Sequence, residues 1–333
     1  MGRIKYIDSI KGFAVICVVV GHVANGYLVT GAADGIYHDL FNAIYAFHMP
    51  LFFTVSGFLF YQAYGAGSDV KREKVKAQII NLTCIYLLHS ILLGVFKILF
   101  SPYVNYPTTL ADLLLIPIKP IQLYWYLFVL IVYYLVFSRE ILLRQNSAAL
   151  MLVTFALGLV SAWIPEYLLF DVKRVLYYFF FFYLGVTLNR KKDIQKKKGL
   201  LYFCFPCAVL LYVIFWNHGT NLDSIPFVNQ ALGILCSVFI FCAFYQYKAL
   251  GENRFFLLIG KYGLEIYLLH TYVLTACRAL FHRLNINSAA IILLVSSAAG
   301  VFLPVAISVF CKKIKIYNYL FNPYKSRKQK LKA

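Results

Sequence analysis

The apolar residues of this chain come in blocks of about twenty, and this pattern limits what the chain can fold into. A helix of about twenty apolar residues crosses the ~30 Å hydrocarbon layer of a bilayer. Segments of this kind can be read at 7–28, 38–61, 78–100, 121–138, 147–164, 170–189, 199–217, 226–247, 256–280 and 288–311. The short alternating segments of a transmembrane barrel do not occur. The sequence therefore predicts an all-α, polytopic transmembrane bundle of about ten helices.

The composition excludes an ordinary soluble domain. Of the 333 residues, 62% are hydrophobic and 14% are charged. In a soluble domain, about 45–50% of the residues are apolar and about 25% are charged. A water-soluble core of this size would lack the polar residues needed to cover it. The first apolar segment has no small-residue cleavage site and is interrupted by polar residues, so we do not expect a cleavable signal peptide.

The formal net charge of +19 raises the possibility of nucleic-acid binding, but the positions of the charges argue against it. If the N-terminus is inside, most of the 32 lysines and arginines fall in the inner connections, as the positive-inside rule expects. We therefore predict that both termini are cytoplasmic. The transmembrane domain would cover residues 1–320, and residues 321–333 would form a basic tail on anionic lipid. We expect no nucleic-acid partner.

The eight cysteines all lie in apolar segments, which favours buried thiols over redox or metal chemistry. Cys204 and Cys207 have CxxC spacing, but no second pair accompanies them. No HxxH or ExxH pair lies within one segment. We therefore expect no metal, although ligands gathered from separate helices remain conceivable at this point.

The first segment carries three polar side chains on one helical face. Asp8 and Lys11 are spaced to form an i, i+3 pair. Lys11 and His22 lie about 20° apart around the helix and about 16 Å apart along it. Ionisable groups in membrane helices are costly and mark functional candidates. The alternative is an ion pair at the helix start and a hydrogen-bonded core histidine.

The second and ninth segments carry further candidates. In the second, His48 is next to Pro50, which should kink the helix, and Ser56 and Gly57 would allow close approach of a helix or a ligand. In the ninth, Lys261 and Glu265 have i, i+4 spacing and His270 follows one turn later. Several histidines and carboxylates in one bundle are suited to proton transfer.

Together these segments resemble the integral-membrane acyltransferase-3 family, and more narrowly its fucose 4-O-acetylase-like branch. The resemblance covers nearly the whole chain. It rests on Asp8-x-x-Lys11-Gly12 followed by His22, and on Phe47-His48-Met49-Pro50 leading into Ser56-Gly57-Phe58. Weaker support comes from Trp125-Tyr126-Leu127, from Phe181–Gly185 and from Glu265-Ile266-Tyr267-Leu268-Leu269-His270.

The resemblance implies an enzyme of the bacterial cytoplasmic membrane that moves an acyl group, usually acetyl from cytoplasmic acetyl-CoA, onto an envelope carbohydrate. His22 matches the family's essential histidine, and Lys11 its basic residue, usually arginine. Arg72, Lys74 and Lys76 correspond to an arginine-rich segment, although lysine mostly replaces arginine and a downstream proline is missing.

In this interpretation, Lys11, Arg72, Lys74 and Lys76 would hold the donor's phosphates. His22 would act as a general base or as an acyl carrier, and Glu265, His48 or His270 would orient it. Substrate-binding or structural roles fall to Asp8, Pro50, Ser56, Trp125 and Tyr267. A multi-helix transporter or exporter of a polar or lipid-linked substrate is the main alternative, and a structural scaffold is the third. The acceptor, the acyl chain length and the oligomeric state stay open.

Overall fold

A computed structural model describes residues 4–29, 35–65, 69–104, 106–138, 147–165, 169–217 and 225–324, and these ranges contain helices and no strand. The α-helices are α1 (Lys5–Val29), α2 (Gly35–Tyr45), α3 (His48–Tyr64), α4 (Asp69–Leu99), α5 (Leu110–Leu114), α6 (Trp125–Phe137), α7 (Ser147–Val160), α8 (Val172–Arg190), α9 (Lys198–Asn217), α10 (Pro226–Gln246), α11 (Lys248–Gly251), α12 (Arg254–Lys261), α13 (Gly263–Arg283), α14 (Ala289–Lys313) and α15 (Tyr317–Phe321). Each of the predicted apolar segments contains a helix, so the all-α prediction is confirmed.

Five helical stretches among the described residues are long and apolar enough to cross a membrane. They are Lys5–Val29, Gly35–Tyr64, Arg72–Leu99, Pro226–Gln246 and Ala289–Lys313, and three shorter apolar helices cover Gln122–Phe137, Ala148–Trp163 and Lys198–Ile214. Helices α8 and α13 complete the predicted set, and each carries three charged residues. The chain is a polytopic helical bundle. The side on which each terminus lies stays a prediction, as does the 320/321 boundary, and residues 325–333 lie outside the described ranges.

The proline kink expected in the second segment is instead a break between two helices. Helix α2 ends before Ala46 and Phe47, and α3 begins at His48. Pro50 therefore lies in the first turn of α3, where a helix needs no backbone donor. The His48 Nδ1 donates to the Ile44 carbonyl at the end of α2, at 2.9 Å. The expectation of one kinked helix is wrong because a new helix that starts just before the proline avoids the lost hydrogen bond.

The described helices fall into two compact units. The first unit comprises Met1–Ala14, Asn42–Val75 and Val132–Lys261, and the second comprises Val15–Phe41, Lys76–Ile131 and Tyr262–Ala333. In the first unit, α3 and α8 approach closely at glycines. A Cβ on Gly57 would overlap the Phe182 carbonyl, and a Cβ on Gly185 would overlap the Thr54 carbonyl. Close helix packing at Ser56-Gly57 is thus confirmed.

In the second unit, the long connection before α6 packs back onto α4. The Tyr86 hydroxyl donates to the Ile116 carbonyl at 2.5 Å, and the Leu113 side chain lies over Gly94. Within this connection, Thr109 caps α5 by a reciprocal hydrogen-bonding arrangement with Asp112. Hydrogen bonds from the backbone and side chain of Thr109 hold the pKa of Asp112 below its ordinary value. The connection is therefore an ordered part of the second unit.

Candidate functional site

Two of the candidate histidines meet inside the second unit. The ring of His22, on α1, and the ring of His270, on α13, have centroids 5.2 Å apart and planes tilted by 38°. His270 is fully buried, and His22 is half-buried. At this distance, the two imidazoles are within reach of a shared hydrogen bond or a bridging water. The sequence analysis named Glu265, His48 and His270 as groups that could orient His22. Of these three, His270 is in ring contact with His22.

The tautomer of His270 follows from its hydrogen bond. Its Nδ1 lies 2.9 Å from the carbonyl of Ile266, one turn earlier on α13. Because a carbonyl can only accept, Nδ1 carries the proton, and the neutral ring keeps a lone pair on Nε2. That Nε2 is buried without a hydrogen-bond partner. Buried polar atoms are rarely left unpaired, so an unpaired basic nitrogen beside a second imidazole marks a reactive position.

A pair of reciprocal hydrogen bonds holds this part of α13 in place. The Tyr267 hydroxyl donates to the Leu123 carbonyl at 2.5 Å, and the Tyr124 hydroxyl donates to the Leu268 carbonyl at 2.9 Å. Both tyrosines are buried. Tyr267 is thus a structural support for the turn that carries His270. Sequence reasoning missed Tyr124. The signal that could have found it is its position next to Trp125, one of the residues that resemble the family. Trp125 is half-buried at the start of α6.

Glu265 is buried and has a partner of its own. The Tyr317 hydroxyl donates to its Oε1 at 2.6 Å. Glu265 precedes His270 by five residues, roughly 7.5 Å along α13. This hydrogen bond between Tyr317 and Glu265 stabilises the contact between α15 and α13. A catalytic role for Glu265 stays a prediction.

Lys11 and Asp8 form the predicted ion pair within the first unit. Lys11 Nζ lies 2.5 Å from Asp8 Oδ1, and the side chains are 30% and 8% exposed. A Cβ on Gly12 would overlap the Phe256 carbonyl, and a Cβ on Gly260 would overlap the Asp8 carbonyl, so α1 and α12 are in close contact there. The ammonium group of the half-exposed Lys11 has three N–H donors, so it can donate hydrogen bonds to other groups as well as to Asp8.

The remaining predicted residues are found on two helices. Arg72, Lys74 and Lys76 are exposed near the start of α4, as phosphate-binding cations need to be. On α3, His48 is buried against the end of α2 and Ser56 is half-buried. The roles assigned to these residues stay predictions.

The cysteines show no sign of chemistry. All eight are free, and each is buried or half-buried, as the sequence predicted. Across the described ranges, no three His, Cys, Asp or Glu side chains come together as metal ligands.

A second residue that sequence reasoning missed is Arg278, on α13. The sequence analysis did not single it out, although a charge within a membrane helix is itself a functional signal. Its guanidinium lies against Gly26, one turn beyond His22 on α1. The Nε and Nη1 atoms of Arg278 are buried without a hydrogen-bond partner.

Comparisons with known proteins identify the family of the chain. The acyltransferase domain model of the acyltransferase-3 family matches residues 4–311. The nodulation protein NolL of Sinorhizobium fredii (strain NBRC 101917 / NGR234) is 24% identical over 236 residues, which are 67% of this chain and 61% of that protein. The chain thus spans less than two thirds of that relative's length. No solved structure matches the chain. The chain belongs to the acyltransferase-3 family.

Proposed function

We propose that this acyltransferase moves an acetyl group from cytoplasmic acetyl-CoA to a hydroxyl of an envelope carbohydrate in the bacterial cytoplasmic membrane. The observation that supports it most is the contact between His22 and His270, with its buried, unpartnered Nε2. An exporter needs no such pair of bases, and the family match favours the enzyme. The multi-helix transporter is therefore not retained as an equal alternative.

In the proposed reaction, His270 positions His22. In the reacting state, the lone pair on His270 Nε2 would accept a hydrogen bond from one nitrogen of His22, and the other nitrogen of His22 would act as the base. That nitrogen removes the proton of the acceptor hydroxyl while the hydroxyl oxygen attacks the thioester carbonyl. The carbon–sulfur bond then breaks, and the imidazolium returns the proton to the departing thiolate. The products are an acetyl ester and coenzyme A.

A covalent variant of this reaction uses the same pair. His22 attacks the thioester itself, and coenzyme A leaves with the proton that the imidazole loses. The acceptor hydroxyl then attacks the acetyl-imidazole and regenerates His22. We favour the general-base route, because it needs no further intermediate.

The donor would enter from the cytoplasmic side. Arg72, Lys74 and Lys76 are exposed cations, and Lys11 is half-exposed on the face of α1 that also carries His22. The separation of Lys11 and His22 along one continuous helix is about 16 Å, comparable to an extended pantetheine arm. These cations would bind the phosphates of the donor.

The test is acetyl-CoA turnover by the purified full-length protein. Coenzyme A release is followed as free thiol, with an envelope carbohydrate fraction as acceptor. We expect His22→Ala to lower turnover by ~10²–10⁴-fold, the usual contribution of a general base. The matched control is His282→Ala, which removes an exposed histidine at the end of α13. Near wild-type turnover in a well-folded His22→Ala protein would exclude both routes.

A further inference from the structure

Arg278 is a cation whose charge nothing described in the second unit neutralises. Its Nε and Nη1 atoms are buried without hydrogen-bond partners, and no carboxylate within the described ranges forms an ion pair with it. Burying a charge without a partner is costly, and so is leaving buried N–H donors unpaired. An arginine of this kind within a membrane helix therefore indicates a ligand.

Gly26 shows where the guanidinium lies. A Cβ on Gly26 would lie 2.9 Å from Arg278 Nη2, so the head of Arg278 occupies the space that a side chain would take. Gly26 is four residues after His22, roughly 6 Å farther along α1. Arg278 lies eight residues after His270 on α13. Because side chains in a helix point toward its N-terminus, the Arg278 side chain extends in the direction of His270. The unpaired donors thus lie about one turn beyond the imidazole pair.

The surroundings of Arg278 are fixed. The ring of Tyr27 stacks on the ring of Tyr37, with centroids 5.4 Å apart, and lies within electrostatic reach of Arg278. The Tyr37 hydroxyl donates to the Ala289 carbonyl at 3.1 Å. Tyr37 is fully buried and Tyr27 is half-buried, so the ring of Tyr27 is the aromatic surface beside the cation that suits the apolar face of a sugar.

We propose that Arg278 binds the phosphate of a glycosyl phosphate acceptor and thereby presents a hydroxyl of the same sugar to His22. This inference rests on the proposed function. A neutral hydroxyl could accept from the unpaired N–H groups of the half-buried Arg278, but only an anion also compensates its charge, and phosphate matches the guanidinium fork. Gly26, which the guanidinium contacts, lies roughly 6 Å from His22 along α1, a separation comparable to the width of one sugar ring.

The experiment measures binding of glucose 1-phosphate and of methyl glucoside to the purified full-length protein in an uncharged detergent. The two probes differ in the phosphate, and we expect the wild type to prefer glucose 1-phosphate at least tenfold. Arg278→Gln should abolish the preference, and Arg278→Lys should keep part of it. The matched control is Arg283→Gln, which removes an exposed arginine from the end of the same helix and should keep the full preference.

A second pair of variants tests the position of the guanidinium without removing its charge. Gly26→Ala places a methyl group against Arg278 Nη2 and should weaken the phosphate preference several-fold. Gly35→Ala places its methyl group in open space and should leave the preference unchanged. Because Gly26→Ala keeps the arginine, this pair keeps the proposal testable if Arg278→Gln fails to fold.

A third arm distinguishes an acceptor phosphate from a lipid headgroup. The wild type and Arg278→Gln are compared in vesicles of phosphatidylcholine with and without phosphatidylglycerol. Arg278-dependent binding of phosphatidylglycerol without any preference for glucose 1-phosphate would overturn the inference, as would an equal preference in wild type and Arg278→Gln. If acetyl-CoA turnover still depends on His22, these outcomes remove the inference about Arg278 and leave the proposed function standing.

Discussion

The two units of the molecule bury different kinds of unpaired polar atoms. Among the described residues of the first unit, the buried atoms without a partner are side-chain oxygens, such as those of Thr187, Gln230 and Ser237. In the second unit, they include nitrogens of His89, His270 and Arg278. A hydroxyl or amide oxygen left unpaired has a modest cost, whereas an unpaired imidazole or guanidinium nitrogen can take up a proton or bind an anion.

The difference assigns separate tasks to the two units. The first unit is joined at glycines, where carbonyls approach the backbone of a neighbouring helix, and its buried rings pack tightly around Phe53, Phe60, Phe137 and Phe182. Such packing stabilises a fold. The second unit holds the imidazole pair and Arg278, and so it is the unit in which we place the chemistry.

Substitutions at the glycine contacts should lower the stability of the protein without changing its turnover. Gly57→Ala forces its methyl group against the Phe182 carbonyl, so we expect a loss of about 1–3 kcal/mol in the free energy of unfolding. Thermal unfolding of the purified protein measures this loss, and turnover per folded molecule should stay unchanged. The control is Gly199→Ala, whose methyl group enters open space at the start of α9. Equal unfolding temperatures for the two variants would contradict the close approach of α3 and α8.

A smaller effect is expected at Lys11, which belongs to the first unit but would serve the donor. Lys11→Ala should raise the KM for acetyl-CoA several-fold and change kcat less, because phosphate is bound in the ground state and the transition state alike. Lys11→Arg should be mild, since either cation can contact phosphate. Steady-state kinetics at varied acetyl-CoA concentration checks this. An unchanged KM with lowered thermal stability would make Lys11 only the partner of Asp8.

Much of the fold could be predicted because it depends on local pattern. The apolar blocks predicted the helices, and the i, i+3 spacing of Asp8 and Lys11 predicted their ion pair. The break before His48 was not predicted, because a proline within an apolar run is compatible both with a kink and with a helix start.

The site itself could be predicted only in part. His22 and His270 were both candidates, but their contact joins positions 248 apart in the chain and depends on which helices pack together. Arg278 was missed because its position near a helix end made it look like an interfacial charge. Its guanidinium lies against a glycine on α1, a relation that no spacing within α13 reveals.

The central claim is that His22 and His270 act as one unit, and a double-mutant cycle tests it most directly. Purified wild type, His22→Ala, His270→Ala and the double variant are compared by kcat/KM for acetyl transfer from labelled acetyl-CoA. If His270 acts through His22, both single variants lose much of the rate, and the double variant is about as slow as His22→Ala alone, as for residues of one catalytic unit. If the losses of the single variants multiply in the double variant, or if His270→Ala keeps near wild-type activity, the imidazole pair is not the catalytic unit.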